Sequence, residues 1–292
     1  MVERSAHMQE QRILRDRLWR ESPAERREAL MPFFWKTLAT QAVVKGDVRV
    51  TNIYRVSYPG YSEILTGRTQ DDVIRGNDPK QNPTETVLEF LRRKLGLRKE
   101  QVAVFGSWRA FQWISESKAG TITINTGFDE SALTPRMAEL SRLQRELLTE
   151  DDEARHDWIT FELALDYLRA AKPRALYIAF NETDEWAHQR RYDRVLYMTS
   201  FFDRCMERLW SALQSMAEYR DATTLVITSD HGRGSQLTDW GDHNARVAGA
   251  DRIWLAAAGP GKEEFERVAR QSEIARAVLG ALALDPKEYL PE

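Results

Sequence analysis

Three of the five histidines in this chain lie beside carboxylates near the ends of strand-like runs. Asp184 and His188 are four residues apart in the stretch Asn181-Glu182-Thr183-Asp184-Glu185-Trp186-Ala187-His188, so a helical turn there puts both on one face. Asp230 and His231 are adjacent, and Gly232 after them lets the backbone turn sharply. His243 closes Asp239-Trp240-Gly241-Asp242-His243. Carboxylate oxygens and imidazole nitrogens in such combinations suit zinc, manganese or a similar divalent ion. A hydroxyl group of a different kind is Ser57, in Ser57-Tyr58-Pro59-Gly60-Tyr61-Ser62, between a β-like run at Val48–Asn52 and a helical start at Glu63-Ile64-Leu65. A small hydroxyl residue at a strand-to-helix junction sits where free N–H groups and the helix dipole favour an anion. Each feature alone has a plainer reading: a surface helix pair, a turn, a turn serine. Their co-occurrence is what points to chemistry. His7 and His156 lie outside the pattern and are assigned no role.

The elements that must position these residues read as alternating strands and helices. Ser22-Pro23-Ala24-Glu25 has the form of a helix start, and Leu30, Phe33, Phe34 and Leu38 continue an apolar helical stripe. Asn82-Pro83-Thr84-Glu85 is expected to open a helix through Leu91 that ends at Gly96. Val102–Phe105 reads as a buried strand, and Trp108, Phe111 and Trp113 after it as core or as the mouth of a pocket. Thr121–Ile124 alternates like an edge strand, Thr134-Pro135 caps a helix, and a further helix runs from Asp157 to Arg169. Ala175–Phe180, Leu225–Thr228 and Ile253–Ala257 are strands, with a long helix bearing Met198, Phe202, Cys205 and Leu209 before the second of them and a helix at Ile274–Leu282 closing the chain. This order predicts an α/β fold: a mostly parallel sheet with helices on both faces, preceded by N-terminal helices, in a single domain over 1–292 with room for a small cap at about 106–150. In open sheets of this kind ligands bind at the carboxyl ends of the strands. The Asp-His motifs after 180 and 228 lie there.

Composition excludes several classes. A net charge of -3 leaves no basic footprint for nucleic acid. One cysteine, Cys205, allows no intrachain disulfide framework. No apolar run approaches membrane-spanning length, and the first residues lack the apolar core of a signal peptide. As written the chain is expected to be cytoplasmic. It would be periplasmic or secreted if an upstream segment carried a signal.

Taken together, the motifs resemble the alkaline phosphatase superfamily of phosphatases, phosphodiesterases and sulfatases, from about residue 48 to the end. Ser57, Pro59, Thr66 and Gly67 stand at the spacings of that family's nucleophile segment. The resemblance implies a first metal held by Asp184, His188 and His243, and a second held by Ser57, Asp230, His231 and an early aspartate. It implies a small-molecule phosphate mono- or diester as substrate, attacked by Ser57 to give a phosphoseryl intermediate that water hydrolyses. Metal binding needs neutral imidazoles, so activity is expected to fall below about pH 6. The early aspartate, which in the family ends a first strand, has no match: only Asp16 and Asp47 precede Ser57, in a helix-like run and before a strand. An internal start at Met1, a degenerate relative that binds an anionic ligand without turnover, and a substitute carboxylate all account for this. Tyr61 stands where sulfatases need an arginine, which disfavours that branch. Asn244 replaces the glycine that usually follows the last histidine.

Overall fold

A computed structural model describes residues 8–149 and 151–290; His7 lies outside them. The elements are α1 (Met8–Leu18), α2 (Pro23–Leu30), a π-helical turn (Phe34–Leu38), β1 (Val43–Arg49), α3 (Ser57–Thr66), α4 (Val87–Lys94), β2 (Val102–Gly106), α5 (Phe111–Ile114), β3 (Thr123–Thr126), α6 (Pro135–Leu143), α7 (Asp157–Ala171), β4 (Ala175–Ala179), α8 (Glu182–His188), α9 (Tyr192–Ser215), β5 (Leu225–Thr228), β6 (Arg252–Ala258) and α10 (Ile274–Ala281). Ser22 caps α2 through its hydroxyl, with Pro23 in the first turn. The helix expected from Asn82 opens later: Thr86 is its cap, in a reciprocal capping box with Glu89.

The α/β layering expected from the alternation is present, and the strands form two three-stranded sheets. In one, β3, β2 and β4 are parallel, with β3 at the edge. In the other, β6 lies between β1 and β5 and runs antiparallel to both. Period-two alternation sends successive side chains to opposite faces. Val102 and Val104 pack with Phe90, Leu91 and Phe111 on one side of the parallel sheet; Ala103 and Phe105 pack with Met137, Ile159 and Leu163 on the other. The antiparallel sheet is likewise covered by Ile64, Ile274 and Ala277 on one face and by Phe34, Leu38 and Met206 on the other. Phe111, read as core or pocket mouth, is core, and Trp108 and Trp113 pack against it. Within 106–150, β3 joins the parallel sheet and α6 lays Met137 on it.

Strand direction decides where the loops emerge. Leu225, at the start of β5, pairs with Ala258 at the end of β6 and Thr228 with Leu255 in its middle, while Arg49, at the end of β1, pairs with Arg252 at the start of β6. The loop after β1, the loop after β5 and the loop before β6 therefore open on one edge. Because β6 runs antiparallel to β5, the stretch 231–251 leaves and re-enters the sheet at that one edge, which keeps His231 and His243 on the same side. Among the described residues β4 pairs only with β2 and β5 only with β6. No helix among them is long and apolar enough to cross a membrane.

Candidate metal centre

Ser57 is the first residue of α3, which begins six residues earlier than Glu63 suggests. Pro59 reads as a turn signal, but in a first turn its missing N–H costs nothing. The N-terminal end of α3, with no side-chain cap on Val56, points at the site. The approach of α3 is close: a Cβ on Gly60 would lie 2.3 Å from the backbone oxygen of Asp230. Gly60→Ala must therefore push α3 away from the Asp230 loop. The expected cost is about 1–3 kcal/mol of stability, read by urea unfolding, with weaker metal binding alongside.

The loop after β1 is tied to the same helix. The buried Glu63 carboxylate accepts from Thr51 N (3.1 Å), Asn52 N (2.9 Å) and Asn52 Nδ2 (2.9 Å). Asn52 Oδ1 in turn accepts from Arg55 N at 2.8 Å, which holds Arg55 at a left-handed φ of 54°. Arg55 O then receives His243 Nδ1 at 3.0 Å. His231 Nδ1 lies 3.0 Å from Gly232 O. Gln271 Nε2 donates to Asp230 O at 2.6 Å and steadies the Asp230–His231 turn. In both histidines Nδ1 donates to a backbone carbonyl, which leaves Nε2 as the lone-pair nitrogen, the arrangement that orients imidazoles toward a metal.

Those Nε2 atoms converge. His188 Nε2 is 2.9 Å from His243 Nε2 and 3.1 Å from Asp184 Oδ2. His243 Nε2 and His231 Nε2 lie 3.7 and 3.8 Å from Asp184 Oδ1. His231 Nε2 is also 3.3 Å from Asp230 Oδ2 and 3.5 Å from Ser57 Oγ. The rings of His231 and His243 stack at 3.6 Å. Ligand atoms of Asp184, His231 and His243 all lie within 4.8 Å of one another. Asp184 Oδ1 is buried without a hydrogen-bond donor, although Arg233 forms an ion pair with it. A carboxylate oxygen facing lone-pair nitrogens fits a divalent cation.

All six residues singled out for chemistry thus meet at one edge. The fold sets His231 against both groups, beside Ser57 and Asp230 and within reach of Asp184. The early aspartate has no counterpart: Asp47 lies in β1, paired with Arg49 at 3.4 Å.

Burial, with His231, Arg233 and His188 close by, pushes His243 down to about 3, so it is neutral across the working range. An acid limit near pH 6 is therefore not set by His243. Burial also raises the Asp230 carboxyl, opposed by His231 and Ser57, and lowers Arg233 to about 10.

Sequence reading missed the support under α8, which carries both Asp184 and His188. Asp157, at the start of α7, accepts from Ser107 Oγ (2.6 Å), Asn181 N (2.8 Å) and Glu182 N (3.1 Å). Glu182, at the start of α8, accepts from Asp157 N at 2.8 Å and meets His156 Nδ1 at 3.2 Å. The two helices cap one another. Burial, then the nearby Glu182, pushes the Asp157 carboxyl up to about 7. A carboxyl raised in the folded state favours folding while protonated, so this contribution is full below about pH 4 and lost as pH rises through about 7. Asp157→Asn removes that slope. Urea unfolding of both proteins at pH 5 and pH 7.5 should show a smaller gap between the two pH values in the variant.

The fold has solved relatives at low identity. The lipoteichoic acid synthase LtaP from Listeria monocytogenes superposes with a TM-score of 0.56 at 9% identity, over 88% of this chain and 66% of that one. BT1596, a 2-O GAG sulfatase, gives 0.52 at 12% over 85% and 64%. Alkaline phosphatase from the Antarctic bacterium TAB5 gives 0.48 at 12% over 88% and 94%. A search of curated proteins finds no match. The sequence model for type I phosphodiesterase / nucleotide pyrophosphatase matches residues 3–253, and with Ser57, both Asp-His motifs and His243 gathered at one sheet edge, this chain belongs to that family of the alkaline phosphatase superfamily of hydrolases.

Proposed function

We propose that this protein hydrolyses a phosphate mono- or diester, with Ser57 as nucleophile and divalent cations held by Asp184, His188 and His243 and by Ser57, Asp230 and His231. The observation that carries this is the convergence of Ser57 Oγ, at the N-terminal end of α3, on His231 Nε2 at 3.5 Å, in the same cluster as Asp184 and His243. Bound cations supply Lewis acidity: they offset charge on the phosphoryl group and favour ionisation of a serine hydroxyl. The protein's own contributions follow from position. The α3 dipole favours negative charge at Ser57. Asp184 and the Nε2 atoms of His188 and His243 present a fixed donor set. Ser57 Oγ forms the bond to phosphorus as the leaving alcohol departs, and water then cleaves the phosphoseryl ester to return the serine and release phosphate or a phosphate monoester.

The test is hydrolysis of p-nitrophenyl phosphate and bis(p-nitrophenyl) phosphate after removal of metal with chelator and resupply of zinc or manganese. Turnover that is lost with chelator and restored by either ion supports the reading. Turnover indifferent to chelator, or absent with every ion, contradicts it. A second reading, a site that binds a phosphorylated ligand without turnover, is favoured by one observation: among the described residues no aspartate before Ser57 reaches the second ligand set.

A further inference from the structure

An open cavity of about 440 Å³ lies beside the cluster, and its walls come from three loops. Tyr54 and Val56 line it from the loop after β1, Arg75 and Asn77 from the loop after α3, and Asn244 and Arg246 from the loop before β6. Val56 immediately precedes Ser57, and Asn244 immediately follows His243. The cavity therefore starts one residue from the proposed nucleophile and one residue from a proposed metal ligand.

Its walls are wired to those two residues. Asn77 Oδ1 accepts from Tyr58 N at 2.9 Å, which ties the Arg75 loop to the first turn of α3. Arg55 donates through its guanidinium to Ala245 O at 3.2 Å and accepts from His243 Nδ1 at 3.0 Å, which ties the loop after β1 to the Arg246 loop. Asn244 Oδ1 accepts from Arg246 N at 2.8 Å and holds that turn. A group bound among these loops has a set distance from Ser57.

The charge of the cavity is one-sided. Arg75 and Arg246 both line it, no carboxylate does, and neither guanidinium has an ion pair with a carboxylate among the described residues. Two arginines lining one cavity that has no acidic lining residue are suited to a carboxylate or phosphate.

The geometry points to a specificity subsite: the cavity holds the ester arm of the substrate, and that arm carries a second anionic group, bound by Arg75 and Arg246. The substrate class is a phosphate ester with a further carboxylate or phosphate on its organic part. This rests on the reading of the adjoining cluster as a phosphate-ester site.

The test uses alkylphosphonates of increasing chain length, each with and without a terminal carboxylate, titrated calorimetrically into the zinc-loaded protein. At one chain length the terminal carboxylate should tighten binding by about 10-fold or more. Arg75→Ala and Arg246→Ala should each shrink that gain, and the double variant should abolish it, with the plain alkylphosphonate as reference in every protein. Both arginines are on the surface, so the variants should fold. Arg75→Lys should retain part of the gain through charge alone. No gain at any chain length, no binding of either series, or a gain that survives the double substitution overturns the subsite. The phosphate-ester reading fails on a separate readout, the absence of p-nitrophenyl phosphate turnover with any metal, while the calorimetric comparison still decides whether the cavity selects anions.

Discussion

Ser57→Ala should lower kcat/KM for p-nitrophenyl phosphate by roughly 10⁴-fold or more, the scale seen when a covalent nucleophile is removed. Ser57 is only partly buried and its hydroxyl faces His231 Nε2 at 3.5 Å and the Asp230 carboxylate, within the site and not the core, so the folded state loses little. Stability within about 0.5 kcal/mol of the parent is expected. Asp184, His188 and His243 are untouched, so metal should still bind. Folded, metal-bound and inactive is the combination that separates a nucleophile from a structural residue. Equal activity in parent and variant would mean that water attacks phosphorus directly and that Ser57 only fills the first turn of α3.

Asp184→Ala should have the second largest effect. Asp184 touches every histidine of the cluster: His188 at 3.1 Å, His243 at 3.7 Å and His231 at 3.8 Å. Removing a residue that merely orients a metal ligand typically costs up to about 100-fold in affinity or activity, so loss of a ligand itself should cost at least about 10²-fold in zinc affinity. The Arg233 guanidinium, paired with Asp184 in the parent, would then face three imidazoles without its carboxylate. Competition with a chromophoric chelator reads the affinity, and turnover should fall with it. Unchanged zinc affinity would place the metal elsewhere.

Much of this arrangement is legible in the sequence because short-range patterns encode it. The short apolar runs at 175–179 and 225–228 mark strands, and the Asp-x-x-x-His spacing needs only one helical turn to bring Asp184 and His188 to 3.1 Å. Direction is not encoded that way. The apolar run of β6 reads the same parallel or antiparallel, and only its pairing with β5 and β1 shows why the loop before it reaches the site. The start of α3 is hidden because Pro59 and Gly60 signal a turn, whereas here Pro59 sits in a first helical turn and Gly60 permits contact with Asp230. The clasp under α8 is hidden for another reason. Ser107, Asp157 and Glu182 come from the end of a strand and the starts of two helices far apart in sequence. No local spacing announces them.

Acid-quenched mass spectrometry during turnover of a phosphate monoester by the zinc-loaded protein tests the central claim most directly. A peptide phosphorylated at Ser57, absent without substrate and absent from Ser57→Ala, is the expected result. Sustained, metal-dependent turnover with no phosphate on Ser57 under any quench time, together with full activity of Ser57→Ala, would contradict it.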